Sequence, residues 1–128
     1  MKLLNVSAGT IQTVEIGGEK VRTAHVKEPR PAPWIITPDG VEGDERAAHP
    51  DKLYAFARTA YEHWQTHLGV GAGDWSDGFF GENLTLDTLD ETDVRIGDEF
   101  TLGQEVRVFV SGTRTPCILA RCRWRLSS

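Results

Sequence analysis

Short β-like runs, separated by glycine and proline, occupy most of this chain and restrict it to a mainly β fold. Residues 2–7 and 10–16 read as strands, and Gly17-Gly18 is the kind of two-residue turn that joins a hairpin. Residues 21–26 then return as the partner of the second run. This opening predicts an antiparallel meander.

A proline-rich stretch follows the meander. It contains Pro29, Pro31, Pro33 and Pro38. Because proline has no N–H to donate, the stretch could pair only at a sheet edge or cover an opening. Asp39-Gly40 and Glu42-Gly43-Asp44 then have the composition of turns. We therefore expect a stiff connection that leads into a polar loop.

One helix is predicted in the middle of the chain. Thr59 and Glu62 have the spacing of a capping box, so the helix should begin at Thr59 and end near Leu68, before Gly69. Its apolar face would carry Ala60, Trp64 and Leu68. Residues 52–57, just before it, alternate well enough to form a strand.

The second half of the chain returns to strand and turn patterns. Residues 69–78 should form a loop and residues 79–86 a strand, and Ile96-Gly97-Asp98 has the composition of a turn. Residues 106–110 alternate as a further strand. At 128 residues the chain is long enough for one domain with its own core, so we expect a single domain over residues 1–128.

Charge and hydropathy exclude two classes of partner. The net charge of −5 argues against general affinity for nucleic acid, which relies on many Lys and Arg side chains at phosphates. No run approaches the roughly 20 apolar residues of a membrane span, and the N-terminus is too short and polar for a secretory signal. We expect a cytoplasmic protein with free thiols at Cys117 and Cys122, since two cysteines this close do not suggest a disulfide framework.

A thiol and a guanidinium lie close together after the last strand, in Arg114-Thr115-Pro116-Cys117. Pro116 stops the strand, so Cys117 should lie in a turn at the sheet rim. Arg114 would favour its thiolate, the form that attacks, binds metal or carries sulfur. The alternative is that Cys117 is a small buried hydrophobe.

The chain becomes basic after Glu105, where no further Asp or Glu occurs. The arginines in this segment are Arg107, Arg114, Arg121, Arg123 and Arg125. They could hold an anion, or they could pair with the acidic residues Asp87, Asp90, Glu91 and Asp93. Arginine is suited to both uses, so both interpretations stay open.

Two metal motifs are incomplete. His63 and His67 have the spacing of a zinc peptidase, but the segment between them lacks the glutamate that would activate water, which favours a solvated helix face. Cys117 and Cys122 form one pair with no second pair, so they do not predict structural zinc.

Three segments taken in order resemble the MOSC domain, the C-terminal domain of molybdenum-cofactor sulfurases. They are residues 40–44 (GVEGD), 80–85 (FGENLT) and 111–117 (SGTRTPC). The chain is most similar to the small stand-alone bacterial members linked to hydroxylaminopurine resistance. Further family pieces are Lys27-Glu28-Pro29, Pro50-Asp51-Lys52, Tyr61-Glu62-His63-Trp64 and Ile96-Gly97-Asp98.

The resemblance implies an antiparallel β-barrel with a few short helices and a cleft that contains the family cysteine, here Cys117. That residue would ligate molybdenum or carry a persulfide. The residues implied in binding the cofactor, molybdopterin, are Arg114, Lys27, Lys52, Asn83 and Glu82; the last two could instead serve only to form a turn. Pyridoxal phosphate is a further possible ligand in the family.

This sequence departs from the family pattern at His49, which lacks the two glycines that commonly follow the family histidine. Without them the loop should be stiffer, which restricts the reach of His49, the expected proton donor. The chain also ends soon after Cys117, at Ser128. One wall of the pocket would then be missing or supplied by a second copy.

Three functions are therefore compatible with the sequence. The first is a molybdenum-cofactor protein that reduces N-hydroxylated bases or related compounds, a detoxification reaction that needs a redox partner. The second is a persulfide carrier that uses Cys117 to deliver sulfur to a partner protein. The third is a degenerate, non-enzymatic binding or homodimerisation module, in which an edge strand around Trp124 would self-associate.

Overall fold

The computed structural model describes residues 1–45, 52–68 and 75–114. Within these ranges the strands are β1 Leu3–Ala8, β2 Gln12–Ile16, β3 Glu19–Thr23, β4 Glu28–Pro29, β5 Ile36–Thr37, β6 Gly40–Val41, β7 Ala55–Ala57, β8 Leu84–Leu86, β9 Glu99–Leu102 and β10 Val106–Phe109. The α-helix α1 covers Arg58–Leu68, and a short 3-10 helix covers Glu91–Asp93. The prediction of a mainly β fold is confirmed.

The main sheet has the strand order β4-β1-β8-β7. Strand β1 is antiparallel to both β4 and β8, whereas β7 runs parallel to β8. Three two-stranded sheets, β2-β3, β5-β6 and β9-β10, complete the described strands. In the described ranges these sheets are not closed into the expected barrel, because turns interrupt the strands after a few residues.

The opening hairpin forms as predicted. Gly17 and Gly18 both have positive φ, 59° and 84°, which the primed turns of tight hairpins require. Strand β3 ends at Thr23, before the predicted residue 26, because the Thr23 hydroxyl accepts a hydrogen bond from the His25 N–H at 3.0 Å and turns the chain. The prolines behave as expected, since Pro29 lies in β4 at the edge of the main sheet.

Helix α1 ends at Leu68 as predicted, but it begins at Arg58, so the capping-box interpretation of Thr59 is wrong. The helix follows β7 directly and turns Tyr61 and Gln65 inward. Ala60 and Trp64, predicted to face the core, are only half-buried, and the Leu68 side chain lies outside the described residues. The buried face is thus shifted by one residue from the prediction, because Tyr61 packs against Phe80.

Residues 79–83 do not form the predicted strand; only Leu84–Leu86 does. Gly78 and Gly81 have φ of 89° and 83°, a left-handed conformation that ends extended pairing. The turn holds Phe79 and Phe80 in an aromatic cluster with Tyr61 and Trp75. The other core cluster, Val6, Ala8, Val41 and Leu84, begins immediately after the turn. The segment from Gly81 to Asn83 therefore connects the two cores.

No helix in the described ranges is long and apolar enough to cross a membrane.

The 75–78 part of the predicted loop contains neither helix nor strand, and residues 69–74 lie outside the described residues. The turn at Gly97 is present, with φ of 93°. The strand predicted at 106–110 is observed as β10.

Candidate functional site

A buried ion pair lies beside the main sheet. Lys27 Nζ donates to Asp44 Oδ1 at 2.5 Å, and the two side chains are only 5% and 1% exposed. Asp44 Oδ1 also accepts the Gly9 N–H at 2.9 Å. The carboxylate of Asp44 thus joins the chain after β1, the chain after β3 and the turn after β6. A paired charge of this kind is tolerated in the interior because each ion is hydrogen-bonded.

Asn83 connects this ion pair to Ser7 and Tyr54 by hydrogen bonds. Its Nδ2 donates to Asp44 Oδ2 at 3.1 Å and to the Ser7 carbonyl at 3.2 Å. Its Oδ1 accepts the Tyr54 N–H at 3.2 Å, and its own N–H donates to the Tyr54 carbonyl at 2.8 Å. The amide of Asn83 is 1% exposed and fully used by protein groups. It acts as a junction between four segments of chain.

Tyr54, whose backbone is hydrogen-bonded to Asn83, contacts Arg114 through its ring. The guanidinium carbon of Arg114 lies 4.9 Å from the centre of the Tyr54 ring, a cation–π contact. Both side chains are half-buried, and among the described residues no carboxylate forms an ion pair with Arg114. Stacking on a ring face leaves the N–H groups at the guanidinium edge available to an anion.

The structure therefore brings together three of the five residues predicted to bind the cofactor, Lys27, Asn83 and Arg114. Asp44 and Tyr54 connect them. We call this chain of contacts, from Lys27 through Asp44, Asn83 and Tyr54 to Arg114, the Lys27–Arg114 network. Lys52 is exposed, and no described contact joins it to the network.

Glu82 is fully buried, and the hydrogen bonds of its carboxylate go to residues outside the network. Its Oε1 accepts hydrogen bonds from the Tyr61 hydroxyl, from Gly78 N at 3.0 Å and from Thr85 Oγ1 at 3.1 Å, and its Oε2 accepts one from Phe80 N at 3.1 Å. Burial raises the pKa of this carboxyl above its usual range. These contacts favour the turn-forming interpretation of Glu82, and a role in cofactor binding stays a prediction.

The two predicted catalytic residues, Cys117 and His49, lie outside the described residues, as do Cys122, Trp124 and the arginines beyond Arg114. Arg107 does not pair with the acidic residues from Asp87 to Asp93; it forms an ion pair with Glu99 on the neighbouring strand. Asp87 instead accepts the Lys2 N–H at 2.5 Å, and that hydrogen bond lowers its pKa. In the described ranges, no group of three His, Cys, Asp or Glu side chains could hold a metal ion.

Sequence reasoning missed Asp44 and Tyr54. Asp44 lies in a Gly- and Asp-containing segment that predicts a turn, and Tyr54 lies in a run that predicts a strand. Their partners are far away along the chain, such as Asn83 for Asp44, so no local pattern shows the contact. The only local signal is the charge itself, because an Asp beside a buried strand requires a partner.

Comparison with known proteins places this chain among relatives of one domain family. The sequence profile of the MOSC domain matches residues 43–127. "Uncharacterized protein YflK" of Bacillus subtilis is 34% identical over 122 residues, covering 91% of this chain and 53% of that protein. A protein named "Reductase" from Gibberella moniliformis is 30% identical over 128 residues, covering 96% of this chain and 23% of that protein. "Protein YiiM" of Escherichia coli is 37% identical over 89 residues, covering 65% of this chain and 39% of that protein.

A solved structure titled "Crystal structure of an hypothetical protein" superposes with a TM-score of 0.66 at 29% identity, covering 96% of this chain and 51% of that chain. The chain thus spans about half the length, or less, of the relatives it matches. The profile match covers most of the chain and includes the Asp44, Tyr54, Asn83 and Arg114 positions of the network. This chain belongs to the MOSC domain family.

Proposed function

We propose that this domain binds a molybdenum cofactor and takes part in the reduction of N-hydroxylated bases or related compounds. The observation that carries the proposal is the position of Arg114, held on the Tyr54 ring three residues before Cys117. Membership of the MOSC family and the name of the Gibberella relative, a reductase, support the same class of chemistry.

The described residues fit an anionic pterin through Arg114. Its guanidinium has no described carboxylate partner, and a planar fork of donors is well shaped for a phosphate. Lys27 is different, because its charge is compensated by Asp44 and its side chain is buried. We assign Lys27 to the support of the network rather than to direct contact with the phosphate. Lys52, which is exposed, is the second candidate for that contact.

Each residue of the network then has a mechanical role. Lys27 and Asp44 hold Asn83, Asn83 holds the Tyr54 backbone, and Tyr54 orients Arg114. Arg114 favours the thiolate of Cys117, the proposed ligand of metal or sulfur. His49 would supply a proton, because the usual pKa of imidazole lies near neutral pH. When bound, the cofactor supplies two-electron redox chemistry.

The reaction has a simple balance. Conversion of an N-hydroxyl group to the amine consumes two electrons and two protons and releases water. A redox partner protein must supply the electrons, since no described side chain is a reductant. The substrate and this partner are part of the proposal.

The test is to purify the protein from cofactor-replete cells and to measure molybdenum and pterin per chain. We expect near-stoichiometric cofactor in the native protein and a loss in Cys117→Ser and in Arg114→Ala. Arg107→Ala is the matched control, because Arg107 is an exposed arginine of the same segment whose partner is Glu99. An equal cofactor content in all three variants would refute the roles assigned to Cys117 and Arg114.

Absence of metal and pterin from a folded sample would contradict the proposal as a whole. A mass increase of one sulfur atom on Cys117 after incubation with a cysteine desulfurase would then support the persulfide carrier. If the protein carries neither cofactor nor persulfide, the binding or homodimerisation module is the remaining hypothesis. Sedimentation of Trp124→Asp tests it, because this substitution should disrupt the dimer.

A further inference from the structure

The exposed face of helix α1 carries two imidazoles one turn apart. His63 and His67 are both exposed, and their rings are nearly parallel, with an interplanar angle of 10° and centroids 6.4 Å apart. An open groove of about 390 Å³ runs along this face. The groove is lined by Thr59, Glu62, His63, Thr66 and His67. None of these residues belongs to the Lys27–Arg114 network.

Trp64 contacts both histidines. Its ring meets His63 edge-on at 5.7 Å and 79°, and it meets His67 edge-on at 5.7 Å and 89°. Trp64 also packs against the aromatic core cluster around Phe79 and Phe80. The indole therefore packs beside both imidazoles, which their four-residue spacing places on the same side of the helix.

From this geometry we infer that His63 and His67 form a two-histidine chelate for a late first-row divalent cation, such as Ni²⁺, Cu²⁺ or Zn²⁺. Imidazole nitrogen is a preferred ligand of these ions, and histidines four apart on a helix can share one ion. Two nitrogens on one such ion lie roughly 3 Å apart, so the exposed rings must converge when the ion binds. Water would fill the remaining coordination positions.

The glutamate that is missing from the peptidase motif is not needed for binding an ion. That glutamate activates water for hydrolysis, whereas binding needs only the two nitrogens. The described residues offer no third protein ligand in place, so the remaining coordination positions are open to water and the expected function is reversible ion binding. The histidine pair shares no residue with the proposed cofactor site.

The test is calorimetric titration of the native protein with NiCl₂, together with the Trp fluorescence. We expect one Ni²⁺ per chain and quenching of Trp64. In His63→Ala and in His67→Ala the affinity should fall at least about tenfold, because the second imidazole binds the same ion intramolecularly. Nickel should also raise the melting temperature of the native protein and have little effect on these variants.

A spacing control keeps the number of histidines constant. The double variant Glu62→His with His63→Ala moves one imidazole by one position and places the pair five residues apart. We expect its affinity to match that of the single alanine variants. Native-like affinity in the spacing variant, or a loss smaller than tenfold in the alanine variants, would overturn the chelate. Because both histidines are exposed, circular dichroism should show that all variants stay folded.

Discussion

Tyr61 donates its hydroxyl hydrogen to the buried carboxylate of Glu82 and so ties helix α1 to the turn before β8. The same hydroxyl accepts the Phe79 N–H at 3.2 Å. Glu82 in turn accepts the backbone N–H groups of Gly78 and Phe80. One carboxylate therefore replaces the strand hydrogen bonds that this segment does not make, and it sets the direction in which the chain enters Asn83.

Removal of the Tyr61 hydroxyl should destabilise the domain. Tyr61→Phe removes one donor from the buried Glu82 carboxylate and one of the two acceptors of the Phe79 N–H, which also donates to the Ser76 carbonyl at 3.0 Å. We expect the free energy of unfolding to fall by about 1–3 kcal/mol, mainly because a buried charged acceptor loses a partner. Urea unfolding measures it, and Thr66→Val on the exposed face of α1 is the control. Equal midpoints for Tyr61→Phe and the native protein would contradict the role of the hydroxyl.

The pH dependence of stability should carry a component from Glu82. Burial raises the pKa of Glu82 in the folded protein above its ordinary value of 4.5, so the folded state binds the proton more tightly than the unfolded state. The contribution is fully present below pH 4.5 and is lost as the pH rises through the folded pKa. Relative to Glu82→Gln, the native protein should therefore lose unfolding free energy as the pH rises from 4.5. Parallel pH profiles of the two proteins in urea unfolding would rule this out.

The ion pair between Lys27 and Asp44 should show strong coupling. Lys27→Met leaves the Asp44 carboxylate buried without its cation, which we expect to cost about 3–5 kcal/mol. Addition of Asp44→Asn removes that charge and keeps an oxygen that can accept from Gly9, so the double variant should recover part of the loss. A double-mutant cycle measured by urea unfolding gives the coupling. Purely additive effects would show that the pair is not energetically coupled.

Gly9 should not tolerate a side chain. A Cβ at this position would lie 2.2 Å from the Val26 carbonyl oxygen, which is backbone and cannot rotate away. Gly9→Ala should therefore cost about 1–3 kcal/mol or more in unfolding free energy. Gly112→Ala is the matched control, because nothing lies within 4 Å of the added Cβ there. Similar melting temperatures for the two variants would mean that the chain after β1 can move away from Val26.

The elements that the sequence predicts well are those with local causes. The Gly17-Gly18 hairpin needs two positive φ angles, and glycine supplies them wherever the rest of the chain lies. The edge position of Pro29 follows from its missing N–H. The alternation of apolar and polar residues along 106–110 likewise predicts the strand that is observed as β10.

The errors come from long-range packing. Phe79 and Phe80 have strand-like composition, yet the Glu82 carboxylate and the aromatic cluster hold them in a turn. Thr59 has the spacing of a cap, but β7 leads directly into the helix and moves its start to Arg58. In both places tertiary contacts outweigh a local preference of about 1 kcal/mol or less.

The three ordered segments between Gly40 and Cys117 were sufficient to identify the MOSC family, because each depends on residue type at a fixed place in the chain. Only the tertiary structure decided which polar residues meet. It joins Lys27 to Asp44, Asp44 to Asn83, and Tyr54 to Arg114, residues that are distant in sequence. The physical reason is that a buried charge or amide must find its partner wherever the fold brings one, and no local pattern records that choice.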